Sequence, residues 1–114
     1  MSSITSHVLD TSLGRPAAGV RITLSIQGQD GRWKVLGQNA TDADGRVKDL
    51  LPDGSSLSPA TYRLTFETAS YFRSRNIESF FPCVEITFAV TDAKQHYHVP
   101  LLLSPFGYST YRGS

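Results

Sequence analysis

Cysteine occurs once in the 114 residues, at Cys83. An intrachain disulfide is therefore excluded, and a reducing compartment is the natural expectation. Charge is also scarce: Asp, Glu, Lys and Arg make up 18% of the chain and the net charge is +1. The basic residues are scattered rather than clustered, so no nucleic acid and no anionic membrane surface is expected as a partner. The apolar run Val99-Pro100-Leu101-Leu102-Leu103 is far shorter than the ~20 residues that cross a bilayer. Met1-Ser2-Ser3-Ile4 carries no basic-then-apolar leader, and Arg112-Gly113-Ser114 is not the Ser-Lys-Leu peroxisomal address. A cytoplasmic protein is the expectation. No Gly-x-Ser-x-Gly elbow is present, so a serine triad of the hydrolase-elbow type cannot be read.

Alternation of apolar and polar residues is what the chain has instead. Val20, Ile22, Leu24 and Ile26 alternate with Arg21, Thr23, Ser25 and Gln27. Tyr62, Leu64 and Phe66 form a second set, and Val84, Ile86, Phe88 and Val90 a third. Each pattern predicts a strand with one face in a core and the other turned outward. Gly28-Gln29-Asp30-Gly31 predicts a hairpin and Asp42-Ala43-Asp44-Gly45 a tight turn. Leu13-Gly14-Arg15-Pro16 and Pro52-Asp53-Gly54 are read as breaks. The stretch from Thr68 to Asn76 lacks alternation and suits a short helix that ends before Pro82. Seven or eight short strands at this spacing predict an all-β fold: a two-sheet antiparallel β-sandwich, one domain over residues 1–114. A chain of this length buries roughly two-thirds of its unfolded surface.

Side chains two apart on a strand share a face. Tyr97, Val99, Leu101 and Leu103 form an apolar set, so His96 and His98 should point away from the core. Ile4 and Val8 look core-facing, which turns Thr5, His7 and Leu9 outward. All three histidines of the chain are thus expected on outer sheet surfaces. An open sheet face is not a pocket, and a partner subunit would be needed to make it one. Arg46 follows Asp44-Gly45, where a turn can aim its planar fork of donors at a carboxylate or polarised carbonyl. His96-x-His98 with His7 offers three nitrogens to a zinc ion, but this pair is a weak pattern and no metal is expected. Cys83, in an apolar strand context, is read as inert. The chain ends on Tyr108-Ser109-Thr110-Tyr111-Arg112-Gly113-Ser114, a polar and aromatic tail that a final strand can deliver to a shared site.

His7-Val8-Leu9-Asp10-Thr11 with Gly14-Arg15-Pro16-Ala17 resembles the opening of the transthyretin-related proteins. Thr41-Asp42-Ala43-Asp44-Gly45-Arg46 resembles their second block. Tyr97-His98-Val99-Pro100-Leu101-Leu102-Leu103-Ser104-Pro105, running into Tyr108 through Ser114, resembles the third. The final Tyr-Arg-Gly-Ser is similar to that of the enzymatic branch, the 5-hydroxyisourate hydrolases, rather than the hormone carriers. The resemblance covers essentially the whole chain. It implies a transthyretin-like sandwich with one short helix, assembled as a homotetramer of paired dimers with sites in the channel between dimers. The implied reaction opens the six-membered ring of 5-hydroxyisourate, the product of urate oxidation, at a cyclic amide bond. The implied catalytic residues are His7, His98 and Arg46. His7, Arg46, Tyr111 and Ser114 are implied to bind substrate, and no cofactor is expected. His96 lies outside the matched motif and receives no role.

The residues suit that chemistry on their own terms. Opening a cyclic acyl-urea with water needs a base for the water, a donor for the oxyanion and an acid for the leaving nitrogen. Histidine, with an ordinary pKa of about 6.5, can serve as either base or acid near neutrality. The competing class is a carrier that holds a small aromatic ligand in the same channel without chemistry. Apolar residues in place of the histidines and the terminal motif would favour it.

Overall fold

A computed structural model describes residues 4–48, 50–52 and 56–114. Nine strands and one helix are formed among them, in the order β1 (Ile4–Asp10), β2 (Arg15–Pro16), β3 (Arg21–Gln27), β4 (Trp33–Ala40), β5 (Arg46–Val47), β6 (Ala60–Phe66), α1 (Thr68–Arg73), β7 (Val84–Val90), β8 (Tyr97–Ser104) and β9 (Gly107–Thr110). One sheet runs β4-β3-β6-β7, and the other runs β2-β1-β8-β9 with β5 also paired to β1. The expected two-sheet sandwich is therefore observed. Every pairing is antiparallel except β1 with β8, which is parallel and in register from Ile4 opposite Tyr97 to Asp10 opposite Leu103.

The alternation converts directly into layers. Ile4, Val8, Leu101 and Leu103 from one sheet and Ile22, Leu24, Leu64 and Phe66 from the other are buried between them. Removing a side chain of this size from water stabilises by roughly 1.5–3 kcal/mol, which is why the apolar positions decide the faces. Gly28-Gln29-Asp30-Gly31 closes the β3–β4 hairpin, with Gly28 N–H donating to the Arg32 carbonyl at 2.8 Å. The break at Leu13-Gly14-Arg15-Pro16 is itself a hairpin. Gly14 N–H donates to the Asp10 carbonyl at 2.9 Å, and Arg15–Pro16 returns as a short strand against Leu9 and Asp10. Asp53 and Gly54 of the remaining break lie outside the described residues. Cys83 is exposed and precedes β7 rather than lying within an apolar strand.

Helix α1 covers six residues, shorter than the stretch to Asn76 that lacks alternation. A helix this short does not hold in isolation. Its inner face supplies buried Tyr71 and Phe72. Tyr71 donates its hydroxyl to Asp10 Oδ2 at 2.8 Å. Asp10 is fully buried and its other oxygen accepts from the Ser12 N–H and hydroxyl, so its oxygens are satisfied by hydrogen-bond donors, and among the described residues it forms no ion pair. Burial and the adjacent Asp10 carboxylate push the Tyr71 phenol up to about 12. This contact ties α1 to the end of β1, three residues beyond His7. Among the described residues no helix is long and apolar enough to cross a membrane.

Candidate active site

The site begins with β1. Ile4, Ser6, Val8 and Asp10 are buried, and Thr5, His7 and Leu9 take the opposite face. On β8, Tyr97, Val99, Leu101 and Leu103 are buried, and His98 takes the outer face. The parallel pairing sets Thr5 opposite His98 and His7 opposite Pro100. On the other side of β1, the antiparallel pairing sets Arg46 opposite His7. Three segments distant in sequence thus bring His7, Arg46 and His98 to one outer face.

Arg46 is aimed by its turn. Asp42 Oδ1 accepts from the N–H of Asp44 at 2.9 Å and of Arg46 at 3.0 Å. The Arg46 amide, foremost, together with the Asp44 amide and nearby cations, holds the Asp42 carboxyl below its ordinary value. Gly45 precedes it at φ +75°, and a Cβ there would lie 2.5 Å from the Val8 carbonyl oxygen. Only glycine lets the turn close this tightly on β1. Among the described residues no carboxylate forms an ion pair with the Arg46 guanidinium.

His98 is held from two sides. Its Nδ1 lies 2.8 Å from the Thr5 hydroxyl, which in turn lies 2.9 Å from His96 Nε2. The two imidazoles are nearly parallel, at 15° and 6.5 Å between centroids. From the other side the tail folds back: Gly113 N–H donates to the His98 carbonyl at 2.8 Å. A Cβ on Gly113 would meet His98 Cδ2 at 2.5 Å. The glycine of the terminal motif is therefore where the backbone packs on the imidazole, and Ser114 follows directly. Burial above all, then the positive fields of Arg46, His96 and His7, lowers the pKa of His98 below the ordinary histidine value. These effects favour the unprotonated imidazole, and among the described residues Nε2 has no hydrogen-bond partner.

The other tail residues go elsewhere. Arg112 donates to Gln95 Oε1 at 2.8 Å and lies 4.4 Å above the Tyr97 ring, so it pins the tail to β8. Tyr111 is 57% exposed and lines a groove of about 260 Å³ with Ile86, Phe88, Tyr97 and Val99, between the open edges of β7 and β9. Within one chain it shares that groove rather than the face bearing His98. The sequence reading gave Thr5 and His96 no part in holding His98, yet both lie beside it. Alternation placed both outward, but only the β1–β8 register shows that one hydroxyl lies between two rings. Among the described residues no three His, Cys, Asp or Glu side chains converge closely enough to hold a metal ion.

A two-sheet sandwich carrying a histidine pair and a free arginine on an outer sheet face is the class that these observations define. The model of the HIUase/Transthyretin family matches residues 4–113, and the chain belongs to that family. A Caenorhabditis elegans protein called probable 5-hydroxyisourate hydrolase is 53% identical over 113 residues, covering 99% of this chain and 82% of that protein. The structure of Klebsiella pneumoniae 5-hydroxyisourate hydrolase superposes with a TM-score of 0.86 at 38% identity, over 100% of both chains. Sea bream transthyretin, solved with thyroxine, gives a TM-score of 0.91 at 29% identity, over 98% of this chain and 95% of its own. A 5-hydroxyisourate hydrolase and a transthyretin solved with thyroxine thus share the architecture, and the site residues must decide between the two.

The packing of Gly113 on His98 yields a direct expectation. Gly113→Ala should displace the imidazole and cut turnover about a hundredfold, the scale that a 1 Å misplacement of a reacting group costs. The exposed tail buries little, so the thermal midpoint should change little. Steady-state kinetics beside a melting curve checks this, and full activity in the variant would contradict the placement.

Proposed function

We propose that this chain hydrolyses 5-hydroxyisourate, opening the six-membered ring at a cyclic amide bond in the breakdown of urate towards allantoin. The observation that carries the reading is the convergence on one face of His98, whose pKa is lowered, His7 and Arg46, which forms no ion pair among the described residues. A ligand carrier has no use for two histidines and a free guanidinium on that face, whereas a hydrolase uses all three.

The lowered pKa of His98 favours the unprotonated form that a base requires, with Nδ1 held by Thr5 and Nε2 placed to take a proton from water. Arg46 holds the substrate's carbonyl or anionic edge and stabilises the charge that builds on oxygen as water adds. His7, beside Arg46 in the β1–β5 register, donates its own proton to the leaving ring nitrogen and regains one from solvent after the ring opens. Ser114, next to the glycine packed on His98, orients substrate or water through its hydroxyl or carboxylate. The family resemblance implies that Tyr111 binds substrate; since it lies in the groove rather than on the His98 face of its own chain, that contact belongs to the assembled oligomer. The scheme uses side chains and water alone.

The assembly belongs to the same proposal. The chain forms a homotetramer, a dimer of dimers, in the cytoplasm. An outer sheet face becomes a water-limited pocket only when covered, and β7 and β9 each present an unpaired edge. Phe80 and Tyr108 are both exposed and both pack edge-on against Phe81, an apolar surface suited to burial against another copy.

The test is absorbance of the short-lived product made by urate oxidase from urate. Adding this protein should speed its decay, and His7→Asn or His98→Asn should each lose roughly 10²–10⁴ in turnover while folding normally. Retention of the full rate by both variants would overturn the assignment. Sedimentation at micromolar concentration should give four chains per particle. A fully active monomer would contradict the assembly.

A further inference from the structure

We propose that Thr5 and His96 form a proton relay behind His98, running from His98 Nδ1 through the Thr5 hydroxyl to His96 Nε2. The geometry behind this is specific. The hydroxyl oxygen lies 2.8 Å from His98 Nδ1 and 2.9 Å from His96 Nε2. A hydroxyl owns one hydrogen, so it donates to one ring and accepts from the other. The protonation of the two imidazoles is therefore coupled, and both tautomers of His98 are accommodated by turning one O–H bond. The register of Thr5 opposite His98 fixes the hydroxyl between the two rings.

This role rests on the hydrolase reading of the site and deepens it. In the resting state His98 Nδ1–H donates to Thr5, and Thr5 donates to His96 Nε2. When His98 Nε2 takes a proton from the attacking water, its Nδ1 proton passes to Thr5 as the Thr5 proton passes to His96. No atom is gained or lost along the chain, and the positive charge moves to His96. That ring is exposed and can release a proton to solvent. His98 is left neutral with a proton on Nε2, which is the form of an acid rather than a base. Reversal restores the resting state. His7 and Arg46 face His98 from β1 and β5, and their positive fields oppose retention of the charge at His98 itself. Thr5 and His96 touch no substrate in this scheme and act through His98.

Two variants and one spectrum test the relay. Thr5→Val keeps the shape and removes the hydroxyl, and Thr5→Ser keeps the hydroxyl. Thr5→Val should lower kcat about ten- to hundredfold at unchanged KM, the scale on which partners that orient a working histidine matter. Thr5→Ser should return kcat to near the parent value. His96→Phe, which removes the far end, should lower kcat with the same unchanged KM. Nitrogen-15 spectra of the histidine rings should place the resting His98 proton on Nδ1 in the parent and in Thr5→Ser, and should lose that preference in Thr5→Val. The spectrum decides the relay even if the protein fails to hydrolyse 5-hydroxyisourate. An unchanged His98 tautomer in Thr5→Val, a Thr5→Ser variant as impaired as Thr5→Val, or full kcat in His96→Phe would each overturn the proposal. If Thr5→Val does not fold, the kinetics of Thr5→Ser and His96→Phe decide between relay and no relay.

Discussion

The parallel pairing of β1 with β8 is the contact on which the site depends. It joins residues more than ninety positions apart, as the separation of 93 between Thr5 and His98 shows. Because side chains alternate with a period of two, a slip of one residue would turn Thr5 and His7 into the core and Val8 out to water. Ile4, Ser6, Val8 and Asp10 on β1 and Tyr97, Val99, Leu101 and Leu103 on β8 oppose such a slip, because all are buried in the observed register. Ser6 adds a specific lock by donating its hydroxyl to the Val99 carbonyl at 2.7 Å. Packing on the inner face therefore supplies the precision that the outer face uses.

Electrostatics on that outer face follow from the same pairing. His7, Arg46 and His96 surround His98 with groups that are positive or able to become so. Each disfavours a second positive charge on the imidazole, and burial acts in the same direction. The combination favours the neutral form of His98, and among the described residues no carboxylate pairs with the Arg46 guanidinium. The terminal segment completes the arrangement mechanically. Arg112 is held above Tyr97, and Gly113 next to it packs against the His98 imidazole.

Much of this was legible in the sequence. Alternation at Val20–Ile26, Tyr62–Phe66, Val84–Val90 and Tyr97–Leu103 identified strands and their inner faces, because burial of apolar side chains dictates both. The same rule placed His7, His96 and His98 outward. Asp42-Ala43-Asp44-Gly45 was readable as a turn because side-chain carboxylates and a positive φ at glycine have local causes. Partner choice among strands was not readable, since it depends on contacts far apart in the chain. The parallel β1–β8 pair, the hydroxyl of Thr5 between two rings and the contact of Gly113 with His98 were hidden for that one reason. Cys83 misled because it adjoins an apolar pattern, although it sits just outside the strand. Tyr111 was grouped with Ser114 by motif, whereas two residues along an extended tail separate the groove from the histidine face.

The proposed site requires the tail to close on His98. The most direct measurement is the decay rate of enzymatically generated 5-hydroxyisourate with a chain lacking Tyr111 through Ser114. Strand β9 ends at Thr110 and keeps its pairing with β8 in that chain, so the sandwich and its assembly should survive. The expected result is a folded protein that no longer accelerates ring opening. A truncated protein that hydrolyses 5-hydroxyisourate at the full rate would contradict the account.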